Sequence, residues 1–282
     1  MSFTLYRPHS AEEALCLWDK THGNFLAGGT VALVNAHRSL PLGEHVISLE
    51  AIPGWDTIRE TADALLLGPL VTFDAIEQSP CCRDAAHALW QAACEVGGPQ
   101  IRNRATVGGN LSAASPAADS APALLALGAE VLLQSREGIR TLPLSEFFVG
   151  PGRTVLRPGE LLCSIRIPKM AGGVSRFAKV GKRNALAVSC AGLAVAGVLT
   201  STGLSQITIA AGSVAPTPLL CPKTSALLNA GALTPDRVQE AALLLQGEIA
   251  PRDDRWATAE YRRTVCGNLL SKLLSELKGD AL

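Results

Sequence analysis

Apolar and polar residues alternate along the chain in two spacings, which predict short strands interleaved with helices. Short apolar or alternating runs predict strands at residues 24–26, 45–49, 64–70, 130–134, 139–142, 161–167 and 176–180. Helical spacing, often after a start signal, predicts helices beginning at residues 11, 31, 72, 85, 119, 234 and 256. The order of these elements predicts a mixed α/β (α+β) fold.

Start and break signals suggest how the elements are grouped. Ser10 followed by Glu13 is typical of a capping box, and Thr234 before Pro235 is typical of a capped first turn. Proline, methionine and two glycines interrupt the pattern over residues 168–173, which predicts a linker. We therefore expect three lobes, at residues 1–55, 56–170 and 171–282.

A stretch without charged residues runs from Ala185 to Pro222. Its first fifteen residues, 185–199, are fewer than the roughly 20 apolar residues that a membrane-spanning helix needs. Glycines and a Thr-Ser-Thr-Gly break instead predict two buried strands joined by a turn, the second at residues 206–211. The chain also begins without a basic region followed by an apolar one, so we expect a cytoplasmic protein that does not bind a membrane.

Charge and cysteine spacing exclude several classes of function. The chain has 25 Lys and Arg and 25 Asp and Glu among its 282 residues, so its net charge gives no attraction for nucleic acid. None of the eight cysteines forms a C-x-x-C pair, and the five histidines show no ligand spacing. We expect no metal site, and the cysteines are typical of small buried residues in a reducing compartment.

Two Gly-Gly loops carry the most informative pattern. Ala27-Gly28-Gly29-Thr30 follows a short apolar run, and Thr106-Val107-Gly108-Gly109-Asn110 repeats the arrangement with hydroxyl and amide side chains nearby. Glycines let backbone N–H groups approach an anion, so the two loops could hold the two ends of one pyrophosphate. Ordinary turns are the alternative for each loop. Neither the Rossmann nor the P-loop glycine motif occurs.

A carboxylate follows the second loop closely. Ser115-Pro116-Ala117-Ala118-Asp119 precedes an apolar helical segment, with Pro122 in its first turn. Asp119 therefore places a carboxylate just past the glycines, unless it is only the cap of this helix.

Several segments together resemble one protein family. The run IRNRATVGGNLSAASPAADSAPALLAL, with LAGGT before it and RPGELLCSIRIP after it, resembles the FAD-binding medium subunit of the molybdenum hydroxylases, the family of xanthine dehydrogenase and carbon monoxide dehydrogenase. The opening FTLYRP, the later VAPTP and the late AEYRR are also similar to that family. The resemblance spans nearly the whole chain.

The resemblance implies a two-subdomain FAD-binding fold of the vanillyl alcohol oxidase/PCMH type, followed by a smaller C-terminal α+β domain. It implies an N-terminal FAD-binding subdomain at residues 1–55, a second one at 56–170 and a C-terminal flavoprotein domain at 171–282. FAD would lie extended between the two subdomains, with its diphosphate on the two Gly-Gly loops.

The same resemblance implies the cofactor-binding residues, and no catalytic side chain or metal ligand. They are Ala27, Gly28, Gly29, Thr30, Thr106, Gly108, Gly109, Asn110, Ser115, Asp119, Leu161, Leu162 and Lys179. Leu161 and Leu162 would run along the isoalloxazine ring, and the Asp119 carboxylate would reach sugar-chain hydroxyls of the cofactor. Lys179 would lie near the pyrimidine edge of the flavin, unless it is a solvated charge at a strand end. Val31 departs from the family, which often has an acidic residue after Gly-Gly-Thr, so a polar contact there is in doubt.

The implied activity is electron transfer through a noncovalently bound FAD. Electrons would arrive from 2Fe-2S clusters on a small subunit, after hydroxylation at a molybdopterin cofactor on a large subunit, and leave to NAD or another acceptor. Two alternatives are a stand-alone FAD oxidoreductase and a flavin-free interaction protein with the same fold. The absence of histidine after His87 argues against the first, and the four retained loop glycines argue against the second.

Overall fold

The computed structural model describes residues 3–38, 41–183, 187–201 and 203–279. The N-terminal part consists of β1 (Thr4–Tyr6), α1 (Ala11–Thr21), β2 (Asn24–Leu26), α2 (Ala32–His37) and β3 (His45–Ser48). Its strands form a parallel sheet in the order β1-β3-β2. The predicted cap of α1 is confirmed, because the Glu13 N–H donates to Ser10 Oγ at 3.1 Å.

The middle part is built on an antiparallel sheet in the order β4-β5-β10-β6-β7. Its strands are β4 (Ile58–Glu60), β5 (Ala64–Leu67), β6 (Glu130–Ser135), β7 (Gly138–Pro143) and β10 (Leu161–Pro168), and a small ribbon pairs β8 (Phe148–Gly150) with β9 (Arg153–Thr154). The predicted hairpin between β6 and β7 is confirmed.

Short helices cover one face of this middle sheet. They are α3 (Phe73–Gln78), α4 (Pro80–Ala85), α5 (His87–Glu95), α6 (Pro99–Arg102), α7 (Val107–Ser112) and α8 (Ser120–Ala126). Fully buried side chains of the sheet, such as Leu67 and Leu133, share one apolar core with Phe73, Leu89 and Leu124 of the helices. This packing fixes the entry to α7, which carries the second Gly-Gly loop.

The C-terminal part has an antiparallel sheet in the order β11-β12-β13-β14. Its elements are β11 (Gly173–Gly181), β12 (Ser189–Thr200), β13 (Gly203–Gly212), β14 (Leu219–Leu220), α9 (Pro222–Asn229), α10 (Pro235–Glu248) and α11 (Ala259–Gly279). The predicted pair of buried strands is confirmed, although residues 184–186, where the first was expected to begin, lie outside the described residues.

Burial on both faces explains why this sheet carries so few charges. Leu193 and Val195 face the core formed with α10 and α11, whereas Ala194 and Ala196 join the core of the middle part. A strand covered on both sides is continuously apolar rather than alternating. The apolar packing therefore continues from the middle part into the C-terminal sheet, and the division at residues 55 and 170 stays a prediction.

Some element boundaries differ from those expected. The strand predicted at 64–70 ends at Leu67, because the chain turns at Gly68, whose missing side chain leaves room for the Trp55 carbonyl. The helix predicted from residue 85 is divided at Ala86, whose φ of −139° is not helical. The last helix begins at Ala259, since Trp256 and Ala257 donate to Asp254 in a turn. Within the described ranges, none of the helices combines the length and apolar character needed to cross a membrane.

Candidate functional site

A cleft of about 390 Å³ opens where the two Gly-Gly loops meet the start of β10. The first loop connects β2 to α2. The second Gly-Gly segment, predicted as a loop, is instead the N-cap and first turn of α7, although the name second loop is kept for it below. Ten of the thirteen predicted binding residues line this cleft. They are Ala27, Gly28, Gly29, Thr30, Thr106, Gly108, Gly109, Asn110, Leu161 and Leu162.

The two loops contact each other directly, and this contact gives Gly28 its role. A Cβ atom on Gly28 would lie 1.7 Å from the Arg104 carbonyl oxygen, in the segment that enters the second loop. No side chain fits there, because the obstacle is backbone. Gly28 is therefore required for the two loops to approach one another. The sequence pattern indicates only that its glycines let a ligand approach.

Unpaired backbone donors are concentrated on the first loop. Within the residues that the structure describes, the N–H groups of Gly28, Gly29 and Thr30 donate to no protein acceptor. Gly29 has a φ of +76°, a left-handed conformation that favours glycine and that is typical of backbone turns whose N–H groups bind anions. The first loop can therefore bind an anion through its backbone.

The second loop uses its backbone differently from the expectation. The Gly108 N–H donates to the Pro69 carbonyl at 3.0 Å, and the Gly109 N–H donates to Thr106 Oγ1 at 3.2 Å. The prediction that both loops present free N–H groups is thus wrong for the second. That loop offers side chains instead, because Asn110 Oδ1 accepts from Ser120 Oγ at 2.6 Å, which leaves the Asn110 amide N–H groups for a ligand.

The far wall of the cleft is apolar. Leu161 and Leu162 are 3% and 5% exposed, and both line the cleft although neighbouring strand residues normally point to opposite faces. The register between β10 and β6 shifts between Leu162 and Ser164, which marks a β-bulge beside them. The wall they form suits a flat, largely apolar group.

Glu160 also lines the cleft and was not among the predicted residues. Its carboxylate accepts from Arg140 Nε and Nη2, both at 2.8 Å, and from the Arg157 N–H at 3.0 Å. The hydrogen bonds from Arg140 hold the pKa of this carboxyl below its usual value, despite burial. The Pro158-Gly159 pair before it signalled a turn, but its partner Arg140 could not be read from the sequence.

Asp119 and Lys179 do not line the cleft and pair with each other instead. Lys179 Nζ donates to Asp119 Oδ2 at 2.6 Å and to the carbonyl oxygens of Glu95 and Ala187, while Ser189 Oγ donates to Asp119 Oδ1 at 2.6 Å. The Lys179 and Asp119 side chains are 7% and 10% exposed. Burial raises the pKa of Asp119, and Lys179 opposes this shift.

This ion pair changes the expectations for both residues. Asp119 occupies the N-cap position of α8, but its side chain makes no capping hydrogen bond. All three N–H donors of the Lys179 ammonium have protein acceptors, and its charge is paired. Lys179 is thus not the solvated charge that was the alternative, and its predicted contact with a cofactor stays a prediction.

Ser115 lines a second cavity of about 320 Å³, together with Ser189, Ser213 and Arg262. Arg262 is 6% exposed, and its guanidinium donates to Asp254 and to the Ser213 carbonyl. Among the described residues, Arg262 Nε and Ser213 Oγ are buried without a hydrogen-bond partner. Sequence reasoning missed this cavity, because 49 residues separate Ser213 from Arg262 along the chain.

Family models match both halves of the chain. The model described as the FAD binding domain in molybdopterin dehydrogenase matches residues 1–170, and the CO dehydrogenase flavoprotein C-terminal domain matches residues 176–277.

Individual relatives match over nearly their whole length. The carbon monoxide dehydrogenase medium chain of Hydrogenophaga pseudoflava is 30% identical, over 97% of this chain and 96% of the relative. The xanthine dehydrogenase FAD-binding subunit of Escherichia coli O157:H7 is 29% identical, over 92% and 90%. A solved structure of carbon monoxide dehydrogenase from H. pseudoflava, lacking the Mo-pyranopterin moiety, superposes with a TM-score of 0.94 at 29% identity, covering 100% of this chain and 98% of that one.

These matches confirm the fold and the resemblance inferred from the sequence. The chain belongs to the family of FAD-binding medium subunits of the molybdenum hydroxylases, oxidoreductases of the xanthine dehydrogenase and carbon monoxide dehydrogenase type.

Proposed function

We propose that the chain binds one FAD noncovalently in the cleft between its two Gly-Gly loops. The observation that carries this proposal is the set of unpaired N–H groups at Gly28, Gly29 and Thr30, three residues that line the same cleft as the Asn110 amide. Backbone N–H groups and neutral amides together suit a diphosphate. Among the described residues, no Cys or His lines the cleft, so no side chain there supports a covalent flavin link.

The apolar wall of Leu161 and Leu162 suits the isoalloxazine ring of the same cofactor. FAD accepts electron pairs and releases them singly or as hydride, and so links one-electron with two-electron chemistry. The chain's own residues would bind and orient the cofactor and exclude water from its ring. Asp119 retains lone pairs beyond those used by Lys179 and Ser189, so a sugar-chain hydroxyl could still donate to it.

The same proposal assigns the chain a place in a three-subunit enzyme. Electrons would come from iron–sulfur clusters on a small subunit, after reaction at a molybdopterin-binding large subunit. Two observations support this division: the relatives are medium chains or FAD subunits, and the described part of this chain has no group of His, Cys, Asp or Glu arranged to hold a metal ion. A cytoplasmic location remains a prediction, supported by the free thiols of all eight cysteines.

The second cavity supports the delivery of electrons to an anionic acceptor, such as NAD. Trp256, which lines it, is 40% exposed and lies beneath the cations of Lys182 and Arg255, at 5.4 and 4.7 Å from the ring centroid. Cations gathered around an aromatic residue of a cavity attract a negatively charged molecule. Ser189 lines this cavity and donates to Asp119, so the cavity adjoins the ion pair of Asp119 and Lys179.

The division of work gives a direct test. Alone and loaded with FAD, the chain is expected to exchange electrons with NADH or an artificial acceptor but not to oxidise purines or other heterocycles, because hydroxylation needs a metal-bound oxygen donor. Anaerobic mixing, followed by flavin absorbance, measures both reactions. Free FAD is the control for direct reduction by NADH.

Each outcome of this mixing experiment selects one candidate function. Bleaching by a heterocycle alone would replace the subunit assignment with a stand-alone flavoenzyme. If NADH does not bleach the flavin, but dithionite reduces it and an artificial acceptor then reoxidises it, NAD is excluded as the acceptor. A chain that binds no flavin would favour the interaction protein.

A further inference from the structure

A tight turn at residues 157–160 precedes the apolar wall of the cleft. Pro158 and Gly159 occupy its centre, with Gly159 at a φ of +74°, and the Glu160 N–H donates to the Arg157 carbonyl at 3.0 Å. This geometry is that of a type II turn, which needs glycine at its third position. The Glu160 carboxylate closes the turn from the other side by accepting from the Arg157 N–H.

Arg140 on β7 clamps this turn to the middle sheet. Its guanidinium forms a two-pronged ion pair with the Glu160 carboxylate and also donates to the Val155 carbonyl at 2.9 Å. The Glu160 side chain is 3% exposed and that of Arg140 is 35% exposed, so solvent competes for these bonds only from the arginine side. The low pKa of Glu160 keeps the pair charged at neutral pH.

The turn also lies against the N-terminal part of the protein. A Cβ atom on Gly159 would lie 2.4 Å from the Trp18 ring of α1, so only glycine permits this contact. Directly after the turn, Leu161 packs in the core of the N-terminal part and Leu162 in the core of the middle part. The turn therefore fixes the start of β10 at the seam where the two cores meet and the cleft opens.

We propose that Glu160, held by Arg140, is a positioning residue for the flavin ring. It sets the place of the Leu161–Leu162 wall relative to the Gly-Gly loops, and so the fit of the ring-bearing half of FAD. The diphosphate half depends on the loops, whose hydrogen bonds do not involve this turn. This inference rests on the proposed binding of FAD in the cleft.

A comparison of two ligands isolates this role. ADP lacks the flavin ring, so Glu160→Gln is expected to lower FAD affinity about tenfold and to change ADP affinity less than about twofold. The visible absorption of bound flavin is expected to shift as well, since the wall beside the ring moves. Calorimetric titration and absorbance spectra measure these effects.

Two further variants keep this test falsifiable. Glu130→Gln is the matched control, because Glu130 also pairs with an arginine of the middle sheet but lies outside the cleft. Arg140→Lys keeps the charge and loses the two-pronged geometry, so it is also expected to lower FAD affinity more than ADP affinity. This variant replaces Glu160→Gln in the test if Glu160→Gln folds poorly. Glu160→Asp is expected to recover part of the FAD affinity.

The outcomes separate this inference from the function on which it rests. A Glu160→Gln protein that loses FAD and ADP affinity equally, or neither, would overturn the positioning role. If wild-type protein binds FAD no more tightly than ADP, the proposed FAD site itself would be overturned.

Discussion

Replacement of Gly109 by valine is expected to weaken FAD binding about 100-fold while leaving the protein folded. A Cβ atom at this position would lie 2.8 Å from Thr106 Oγ1 and 3.6 Å from Ala27 Cβ, so the valine methyl groups would fill the gap between the two loops. The loss corresponds to about 2.7 kcal/mol of binding free energy. The added side chain displaces only the Thr106 hydroxyl that caps α7, so the unfolding free energy is expected to fall by about 1 kcal/mol.

Two glycine variants control this experiment. Gly247→Val places the same side chain on a helix where nothing lies within 4 Å, and it is expected to leave FAD affinity unchanged. Gly28→Val would strike the Arg104 carbonyl and is expected to reduce both stability and affinity, since the loops must separate. Calorimetry and thermal unfolding distinguish the three. If Gly109→Val binds FAD with wild-type affinity, FAD does not bind in this cleft.

Removal of the charge on Asp119 is expected to have the largest effect on stability. Asp119→Asn leaves the Lys179 ammonium, 7% exposed, without its counter-charge. An uncompensated buried charge typically costs about 3–5 kcal/mol, so we expect a loss near the lower end, because two carbonyl oxygens still accept from Lys179. Urea unfolding measures the change.

Two variants show whether that loss comes from the buried charge. Asp119→Asn combined with Lys179→Met removes both charges and is expected to regain much of the stability. Glu276→Gln breaks the exposed pair with Lys272 and is expected to change the unfolding free energy by less than about 1 kcal/mol. If Asp119→Asn lowers the unfolding free energy by no more than Glu276→Gln does, water must reach the pair of Asp119 and Lys179.

Local signals in the sequence predicted most of the longer elements and the two Gly-Gly segments of the cleft, whereas α9 was missed and Leu161 and Leu162 were inferred from the family resemblance. Each of these features depends on a few neighbouring residues, as in the cap at Ser10, the apolar runs of β12 and β13 and the two Gly-Gly loops. The structure brings both loops to one cleft. The short strands β1 and β4 were not predicted, because no glycine turn follows them at once, as one follows the equally short β2.

Contacts between distant residues were beyond reach from one sequence. Asp119 has the signature of a helix cap, yet Lys179, 60 residues later, takes its carboxylate because both are buried together. The Arg140 and Glu160 clamp likewise depends on the pairing of β7 and β10 with β6. Side chains that prefer local bonds in isolation are thus redirected by tertiary packing.

Titration of the purified protein with FAD tests most directly whether this chain binds the cofactor. Calorimetry is expected to give one FAD per chain, the protein should turn yellow, and denaturation should release all of the flavin, since no covalent link holds it. A preparation that stays colourless after incubation with FAD and shows no binding heat would contradict the proposal that this chain binds FAD.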